Sequence, residues 1–360
     1  MPADPAGVQA ALAAAIAGER LSVDQAVGLF EAPLALLGAA ADSVCRRLYP
    51  EPIRTFVVDR NINYSNICVS GCRFCAFWRP PGHPEGYVLG RDEILAKVEE
   101  AVALGATQIL MQGGLHPELP LSWFEEVLSA IRARFPGVVL HSLSAPEIVH
   151  LARLSGLTVR ETLRRLQGAG LDSVPGGGAE VLCDEVRGAI SPRKCTVDEW
   201  CEVMRAAHAL GMRATATMVF GHIESRAQRV EHLMRVRALQ DETGVFTAFI
   251  PWPFQPANTA LGGHEVGAHD YLRTLAVSRL VLDNVPNLQA SWVTQGAGIG
   301  QLALAFGAND LGSTMIEENV VRAAGVEFRM SAAELAGLIR AAGFTPARRD
   351  TYYRVLEVLG

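Results

Sequence analysis

Three cysteines fall within eight residues of the sequence, and their spacing is the feature most able to do chemistry. Cys68, Cys72 and Cys75 follow a CxxxCxxC pattern soon after a short apolar segment. Thiolates at these spacings can converge on one centre, and three ligands to a cubane iron–sulfur cluster leave one iron without a protein ligand. Such an open iron can bind a co-substrate, much as an open position makes a zinc site catalytic. The pattern therefore favours a catalytic cluster.

Two other kinds of site fit the same residues less well. A Cys3His zinc site could include His83, but a structural zinc module normally has two ligand pairs and this chain has one triplet. A lone CxxC could be a redox dithiol, although thioredoxin-like sites lack the third cysteine. An odd cysteine count in a long chain also argues against a disulfide framework. We expect the remaining cysteines to be bystanders: Cys45, Cys183, Cys195 and Cys201.

Composition narrows the class of protein. The chain has 360 residues, 49% of them hydrophobic and 19% charged, which excludes intrinsic disorder. A net charge of −6 argues against a nucleic-acid groove or a polybasic membrane arm. The longest apolar stretches reach only about half of the roughly 20 residues that a membrane-spanning helix needs, and no basic region opens the chain. We therefore expect a soluble, cytoplasmic protein that binds neither nucleic acid nor membrane.

Short apolar segments alternate with amphipathic ones from residue 55 onward, which implies βαβ units and a parallel sheet. The predicted strands are Thr55–Val58, Thr107–Met111, Val138–Leu140, Ser173–Val174, Thr215–Phe220, Thr247–Ile250, Gln289–Trp292 and Leu304–Phe306. The predicted helices are Arg91–Leu104, Leu121–Phe135, Val159–Ala169, Thr196–Leu210, Arg226–Thr243, Ala268–Asn284 and Ser331–Ala342. About eight such units predict an α/β fold of the TIM-type (β/α)8 class. We expect residues 51–360 to form this barrel with small C-terminal elements, and residues 1–50 to form a helical N-terminal extension packed on it.

Polar residues that follow predicted strands form the candidate site, because these positions meet at the C-terminal face of such a barrel. Gln112, Gly113 and Gly114 end the second strand, where two glycines let the backbone approach a ligand or simply make a tight turn. Three candidate proton acceptors follow later strands, and the sequence does not rank them: His222, Glu224 and Asp310. Hydrogen-bonding and aromatic residues at other strand ends suit a cavity for a polar, ring-containing substrate: Gln255, Asn258 and Trp292.

The cysteine triplet, with Phe74 before its last member and its place after the first strand, resembles the motif of the radical SAM superfamily. Members of that superfamily use a [4Fe-4S] cluster to cleave S-adenosylmethionine into methionine and a 5′-deoxyadenosyl radical. The resemblance implies that the three cysteines hold this cluster. It also implies S-adenosylmethionine contacts, with Glu180 near the ribose or amino group and Arg187 near the carboxylate. The implied contact residues are Phe77, Gln112, Gly113, Gly114, Ser144, Glu180 and Arg187.

Longer motifs resemble the branch of the superfamily that makes menaquinone precursors by the futalosine route, together with the deazaflavin (F0) synthase halves. They are residues 59–66, 76–83, 141–144 and 252–256, although Trp78 and Ala145 depart from the branch pattern. The resemblance is greatest to the cyclases of that branch. It implies conversion of dehypoxanthine futalosine to cyclic dehypoxanthinyl futalosine, by hydrogen abstraction from ribose C4′ and radical addition to the benzoate ring.

The same resemblance implies a reducing partner and a substrate-binding arginine, and it leaves alternative functions open. It implies a reducing partner such as flavodoxin or ferredoxin, and it makes Arg60 or Arg79 the cation for the substrate benzoate. Within the branch, aminofutalosine synthase and F0 synthase remain alternatives, since they differ mainly at the third and sixth strand ends. An alternative from another class is a non-catalytic barrel that binds zinc or iron.

Overall fold

Short parallel strands form a ring around a central cavity in the computed structural model, which describes residues 5–360. The strands of the ring are β1 Ile53–Val57, β2 Asp59–Ile62, β3 Gln108–Met111, β4 Val139–Leu140, β5 Ser173–Val174, β6 Arg213–Phe220, β7 Phe246–Pro253, β8 Asn287–Leu288 and β9 Asp310–Ser313. Only Val58 separates β1 from β2, so these two segments are halves of one strand and the ring has eight strands.

Pairing is continuous around the ring. β2 pairs with β3 and β3 with β4, and a bridge between His141 and Ser173 joins β4 to β5. β5 to β8 then pair in order, and a bridge between Gln289 and Asp310 leads to β9, which pairs with β1. All of these pairings are parallel. The predicted (β/α)8 barrel is therefore confirmed.

Helices surround the ring and connect its strands. They are α4 Arg91–Ala103, α5 Leu121–Arg134, α6 Ala145–Ser155, α7 Val159–Ala169, α8 Asp184–Ile190, α9 Val197–Ala209, α10 Arg226–Thr243, α11 Ala268–Val281 and α12 Trp292–Ala303. Local signals set their ends: Thr196 caps α9 with a capping box, and Gly170 ends α7 at a φ of 119°, which glycine adopts without strain.

Segments at both ends of the chain add to the barrel. Three helices and a 3-10 turn precede the ring: α1 Pro5–Ala17, α2 Val23–Gly28, the turn Leu29–Glu31 and α3 Leu34–Leu48. α3 packs against α11; the unit boundary expected at residue 50 stays a prediction. After the ring come α13 Val320–Ala323, α14 Ala332–Ala341, β10 Thr345–Arg349 and β11 Val355–Val358. β10 pairs in parallel with β1 and β11 pairs antiparallel with β10, which brings the end of β10 beside the ring.

The predicted eighth strand, Leu304–Phe306, is wrong. Leu304 and Phe306 lie in a turn that continues from α12. The amide of Leu304 donates a hydrogen bond to the carbonyl of Gln301, and the amide of Phe306 donates one to the carbonyl of Ala303. The eighth strand is instead β9, whose Asp310 and Ser313 give it a polar pattern that hydropathy does not mark as a buried strand. The predicted seventh strand, Gln289–Trp292, is also displaced: β8 is Asn287–Leu288, Gln289 forms only the bridge to Asp310, and Trp292 begins α12. Within residues 5–360, no helix is both long and apolar enough to cross a bilayer.

Candidate active site

A cavity of about 400 Å³ opens at the carboxyl ends of the strands and reaches into the ring. The cavity extends along the whole of β3, because it is lined both by Gln108, the first residue of that strand, and by Gly114, which lies beyond the strand's end. We call the cysteine loop and the neighbouring strand ends the mouth. The floor is the set of five polar residues deeper in the ring: Asp59, Gln108, His141, Ser313 and Arg349. The predicted site residues that line the cavity are Cys68, Cys72, Cys75, Phe77, Gln112, Gly113, Gly114, Ser144, Glu180 and Gln255.

The three cysteines lie on the loop after β2. Ser70 contacts two of them: its amide donates to Sγ of Cys68 at 3.4 Å, and its hydroxyl lies 3.1 Å from Sγ of Cys72. Burial raises the pKa of the Cys72 thiol and raises the pKa of Cys75 to about 11, so both free side chains are neutral thiols near pH 7. A thiol that coordinates a metal is deprotonated by it. The loop therefore offers neutral thiols that a metal centre would ionise.

The cysteine loop fits a cluster better than a single zinc ion. No group of three His, Cys, Asp or Glu side chains in residues 5–360 is arranged to hold one ion. A cubane cluster needs no such convergence, because each cysteine binds a different iron. His83, the fourth ligand of the zinc alternative, does not line the cavity, and its Nδ1 accepts a hydrogen bond from the amide of Glu85 at 3.1 Å.

Two glycines after β3 let that strand end lie against the cysteine loop. A Cβ on Gly113 would stand 2.7 Å from the ring of Tyr64, and one on Gly114 would stand 2.2 Å from the carbonyl oxygen of Ile67. Neither distance is tolerable for a carbon atom, so only glycine fits at these positions. The amide of Gly114 also donates to the carbonyl of Ser65 at 2.8 Å, which ties the two loops together.

Glu147 is a functional candidate that sequence reasoning missed. Its Oε1 accepts hydrogen bonds from the Tyr64 hydroxyl at 2.8 Å and from the Gly113 amide at 3.0 Å. Its Oε2 accepts from the amide and the hydroxyl of Ser144, at 2.7 and 2.5 Å. Burial raises the pKa of Glu147. The signal was present in the sequence, because Ser144 and Glu147 have the spacing of a capping box and cap α6 in this way.

A buried ion pair stands at the mouth. Glu180 pairs with Lys194, and both line the cavity. Burial lowers the pKa of Lys194, but the charge and the hydrogen bond of Glu180 act against it and the net pKa is raised, so Lys194 is a cation. The ammonium also lies 5.3 Å from the centre of the Phe74 ring. Sequence reasoning missed Lys194, which sits between α8 and α9 and carries no motif.

Arg187 does not occupy the place predicted for it. It does not line the cavity, and its guanidinium donates to the carbonyl oxygens of Gly178, Ala179 and Cys195. Arg187 therefore braces the glycine-rich loop that carries Glu180. Its donors are used by the backbone, and the expected contact with the carboxylate of S-adenosylmethionine stays a prediction.

Asp59, the carboxylate on the floor, has a raised pKa. Gln108 donates from Nε2 to Oδ2 of Asp59 at 2.6 Å, and the hydroxyl of Ser313 donates to Oδ1. Burial raises the pKa of Asp59 to about 6, against the opposing effect of these hydrogen bonds and of the Arg349 charge. Burial also lowers the pKa of His141 to about 3, so its ring is neutral near pH 7.

Asp310 forms an ion pair with Arg349, so its carboxylate is not a free proton acceptor. Nε and Nη2 of Arg349 donate to Oδ2 and Oδ1 of Asp310 at 2.6 and 2.9 Å, and Thr55 and the amide of Gly312 also donate to this carboxylate. Asp310 is fully buried and does not line the cavity, whereas Arg349 does. This geometry argues against the role of Asp310 as a base, which stays a prediction.

His222 and Glu224 also lie outside the cavity. Nε2 of His222 lies 3.1 Å from the carbonyl oxygen of Val219, and its Nδ1 lies 2.7 Å from the amide nitrogen of Ile223. Burial alone would raise the pKa of Glu224, but the hydrogen bond and charge of His222 and the charge of Arg229 hold it at about 2. A carboxylate with so low a pKa is a poor base. The pair stabilises its own turn, which argues against the predicted catalytic roles.

Arg60 and Arg79, the arginines predicted to bind the benzoate, do not line the cavity. Side chains alternate along β2, so Asp59 and Asn61 face the cavity while Arg60 faces α4. Arg60 donates to Glu317 at 2.8 Å and to Glu100 at 2.7 Å. Arg79 pairs with Glu85 and donates to carbonyl groups of residues 76–78. The period of two along the strand could have excluded Arg60 from the sequence alone.

The three residues predicted to bind substrate from later strand ends differ in position. Gln255 lines the cavity and donates to the carbonyl of Pro253 at 3.0 Å. Asn258 is exposed outside it and donates to the carbonyl of Ala323 at 3.0 Å. Trp292 is buried in the core, where its indole nitrogen donates to the carbonyl of Ser313 at 3.2 Å. Asn258 and Trp292 are therefore structural in this arrangement.

Comparison with known families agrees with the cysteine loop. The radical SAM superfamily model matches residues 62–236, and the CofH/MqnC C-terminal region model matches residues 243–359. Enzymes of the radical SAM superfamily use a [4Fe-4S] cluster and S-adenosylmethionine. The boundary between the two matches falls near the end of α10.

Relatives match over nearly the full length. The cyclic dehypoxanthine futalosine synthase of Halalkalibacterium halodurans is 49% identical over 345 residues, which cover 95% of this chain and 93% of the relative. The enzyme of the same name from Streptomyces coelicolor is 47% identical over 360 residues, with coverage of 99% and 90%. The 5-amino-6-(D-ribitylamino)uracil–L-tyrosine 4-hydroxyphenyl transferase of Archaeoglobus fulgidus is 43% identical over 323 residues, with coverage of 88% and 92%.

Solved structures share the fold at low sequence identity. The FeFe-hydrogenase maturase HydG of Carboxydothermus hydrogenoformans has a TM-score of 0.72 and 17% identity, covering 96% of this chain and 80% of its own. Methylornithine synthase (PylB) has a TM-score of 0.74 and 18% identity, covering 94% and 97%. The chain belongs to the radical SAM superfamily, in the family that includes the cyclic dehypoxanthine futalosine synthases and the 4-hydroxyphenyl transferases.

Proposed function

We propose that the chain is a radical SAM cyclase that converts dehypoxanthine futalosine to cyclic dehypoxanthinyl futalosine in menaquinone biosynthesis. One observation carries the proposal: identities of 49% and 47% to two cyclic dehypoxanthine futalosine synthases extend over almost the whole chain. Both the mouth and the floor of the cavity lie inside that match. The cavity volume of about 400 Å³ is in the range of small-molecule sites.

The residues of the mouth fit the cofactors of the superfamily. Cys68, Cys72 and Cys75 would hold a [4Fe-4S] cluster, and the glycines after β3 and β5 line the cavity beside it. Glu180 and Lys194 offer a carboxylate and an ammonium to the amino and carboxylate groups of S-adenosylmethionine, with Lys194 in place of Arg187. When bound, the reduced cluster and S-adenosylmethionine supply the deoxyadenosyl radical that abstracts the ribose hydrogen.

The floor supplies a proton acceptor for the end of the reaction. Once the carbon radical has closed onto the benzoate ring, the ring would have to lose one electron, which the oxidised cluster would take back, and one proton, which needs a base. We propose Asp59 as the base, because it lines the cavity and its direct partners, Gln108 and Ser313, are uncharged. The other carboxylates that line the cavity are engaged by Lys194 or by several backbone amides. A pKa of about 6 suits a base that works near neutral pH.

A second candidate is the 4-hydroxyphenyl transfer performed by the archaeal relatives. The Archaeoglobus fulgidus and Methanopyrus kandleri transferases are 43% and 39% identical to the chain over 323 and 363 residues. The lower identities make transfer the less favoured function. The two reactions take different substrates, so one assay separates them.

The decisive experiment is an anaerobic assay of the reconstituted protein with S-adenosylmethionine and dithionite. With dehypoxanthine futalosine we expect 5′-deoxyadenosine and a product lighter than the substrate by two hydrogen atoms in the mass spectrum. The parallel assay contains 5-amino-6-(D-ribitylamino)uracil and L-tyrosine. A product in that assay alone would establish transfer, and no product in either would refute both functions.

Turnover also requires an electron from outside the chain. We propose a small reducing protein such as flavodoxin or ferredoxin, which dithionite replaces in the assay. A cytoplasmic location suits this chemistry, because disulfide-free thiols persist there. Both statements stay predictions.

A further inference from the structure

The cavity has few positive charges for the carboxylates that must enter it. Among residues 5–360, only Lys194 and Arg349 carry a cationic side chain that lines it. Lys194 stands at the mouth beside the cysteine loop, and Arg349 stands on the floor. S-adenosylmethionine has one carboxylate and the proposed substrate has another. The cavity therefore has one cation at each end, and two ligand carboxylates have to be bound within it.

Arg349 has donors to spare. A guanidinium carries five N–H groups. Three of them are used: Nε and Nη2 donate to Asp310 at 2.6 and 2.9 Å, and Nη1 donates to the carbonyl oxygen of Asp350 at 3.0 Å. In the described part of the chain, no acceptor takes the remaining N–H on Nη1 or the one on Nη2. An arginine that is 4% exposed and lines a cavity thus keeps two unpaired donors.

The guanidinium is also held in a fixed position. The ring of Tyr353 lies 3.8 Å from its central carbon, and Asp310 fixes one edge. Asp310 is itself fixed by Thr55 at 2.5 Å and by the amide of Gly312 at 2.7 Å. The ion pair is therefore neutral as a unit before a ligand arrives, which makes burial of the charge tolerable. A rigid guanidinium with free N–H groups on both terminal nitrogens matches the two oxygens of a carboxylate.

We infer that Arg349 is the specificity-determining residue that binds the carboxylate of the substrate, through the free N–H groups on Nη1 and Nη2. The inference rests on the proposed function, because it takes the benzoate of dehypoxanthine futalosine as the ligand. It gives Arg349 the part that sequence reasoning gave to Arg60 and Arg79. It also orients the substrate, with the benzoate toward the floor and close to Asp59.

The test is a binding measurement without turnover. Cluster-loaded protein with S-adenosylmethionine and no reductant is titrated with dehypoxanthine futalosine and with its benzoate methyl ester. A charge-assisted pair of hydrogen bonds predicts that the wild type prefers the acid by about 10- to 100-fold. In the double variant Arg349→Met/Asp310→Asn, which removes both charges together, the preference should fall to about one. A preference that survives in this variant would overturn the inference.

Two further variants identify the source of each effect. Lys194→Met should weaken binding of S-adenosylmethionine and leave the acid-to-ester preference intact, because Lys194 stands at the mouth. Arg279→Met removes another buried arginine, one whose donors meet Gly307, Pro286 and Asn309 and which does not line the cavity. It controls for the loss of a buried guanidinium as such, and its preference should equal that of the wild type. Loss of the preference in Arg279→Met would overturn the assignment to Arg349.

If the double variant does not fold, Arg349→Lys takes its place. Lysine keeps the charge but loses the paired N–H groups, so the preference should fall about tenfold. An unchanged preference in this variant would overturn the inference. Failure of the wild type to bind or cyclise dehypoxanthine futalosine would instead refute the proposed function. The two failures are therefore distinguishable.

Discussion

The mouth and the floor of the cavity are built from the chain in different ways. The cysteines of the mouth lie within residues 68–75, on one loop whose shape is set by local contacts such as those of Ser70. The floor takes single residues from strand segments between Asp59 and Arg349, which meet only when the ring closes. The proposed cofactor site is therefore a local sequence motif, whereas the proposed substrate site depends on the barrel topology.

The two regions also differ in how they present charge. Much of the mouth is backbone: Gly113 and Gly114 let the end of β3 pack closely against the cysteine loop, and one ion pair stands beside them. The floor is a network of side chains in which Asp310 and Arg349 neutralise each other and Asp59 is surrounded by uncharged donors. A mouth of this kind suits a cofactor shared by many enzymes. A floor of fixed side chains suits recognition of one substrate.

The largest expected effect lies at the mouth. Cys72→Ala removes one of the three proposed cluster ligands, and we expect the iron content and the brown absorbance near 400 nm to be lost together with S-adenosylmethionine cleavage. Radical chemistry cannot start without the cluster, so the rate should fall below detection. Iron analysis and 5′-deoxyadenosine yield measure the change. The matched control is Cys201→Ala, a buried thiol of α9 outside the cavity, which should keep its cluster. Retained cleavage in Cys72→Ala would remove Cys72 from the cluster site.

A smaller effect is expected on the floor, where Asp59→Asn separates radical formation from product formation. Removing a general base typically costs about 100- to 10,000-fold in rate. We expect cyclisation to fall by about 100-fold while 5′-deoxyadenosine still forms, because the mouth is untouched. Product and 5′-deoxyadenosine are measured in the same reaction. An equal loss of both would show that Asp59 acts on the mouth and not as the base.

The same variant should be more stable than the wild type at neutral pH. The pKa of Asp59 is raised to about 6, so the folded state opposes its ionisation; this cost is absent below about pH 4 and complete above about pH 6. The neutral amide in Asp59→Asn would carry no such cost, and the gain should be about 1–3 kcal/mol at pH 7.5 and vanish as the pH falls toward 4. Urea unfolding at several pH values tests this. A gain that does not depend on pH would contradict a raised pKa.

Gly114→Ala tests the contact between the mouth's two loops. Its Cβ would lie 2.2 Å from the Ile67 carbonyl, so the cysteine loop must shift. Overpacking of this kind costs about 1–3 kcal/mol, and we expect S-adenosylmethionine affinity to fall about tenfold. Equilibrium binding to the cluster-loaded protein measures it. Gly137→Ala, where an added Cβ meets no atom within 4 Å, is the control and should bind normally. Equal affinities in both variants would contradict the contact.

The difference between the mouth, which is local in the chain, and the floor, which is assembled from distant strands, explains which features the sequence could predict. Strand–helix alternation predicted the barrel, and the candidate cluster cysteines and the glycines after β3 came from motifs whose parts are close in the chain. Arg349 could not be found, because it ends β10, a strand after the eight of the ring, and reaches the cavity only through the pairing of β10 with β1. Lys194 likewise gains its role from Glu180, fourteen residues away. His222 shows the converse case, since a polar residue after a strand can turn back onto its own loop.

The smallest effect is expected at His222, just outside the mouth. Both ring nitrogens are engaged within the turn after β6, by the carbonyl of Val219 and the amide of Ile223, and the side chain has no exposed surface. His222→Ala therefore removes local hydrogen bonds, at a cost to the free energy of unfolding of about 1 kcal/mol. We expect cyclisation to stay within about threefold of the wild-type rate, since a contribution from a base would be far larger. Steady-state rates and urea unfolding measure the two effects. A 100-fold loss of rate in a folded, cluster-loaded His222→Ala protein would restore His222 as the base and would show that the chemistry of this cavity extends beyond its floor.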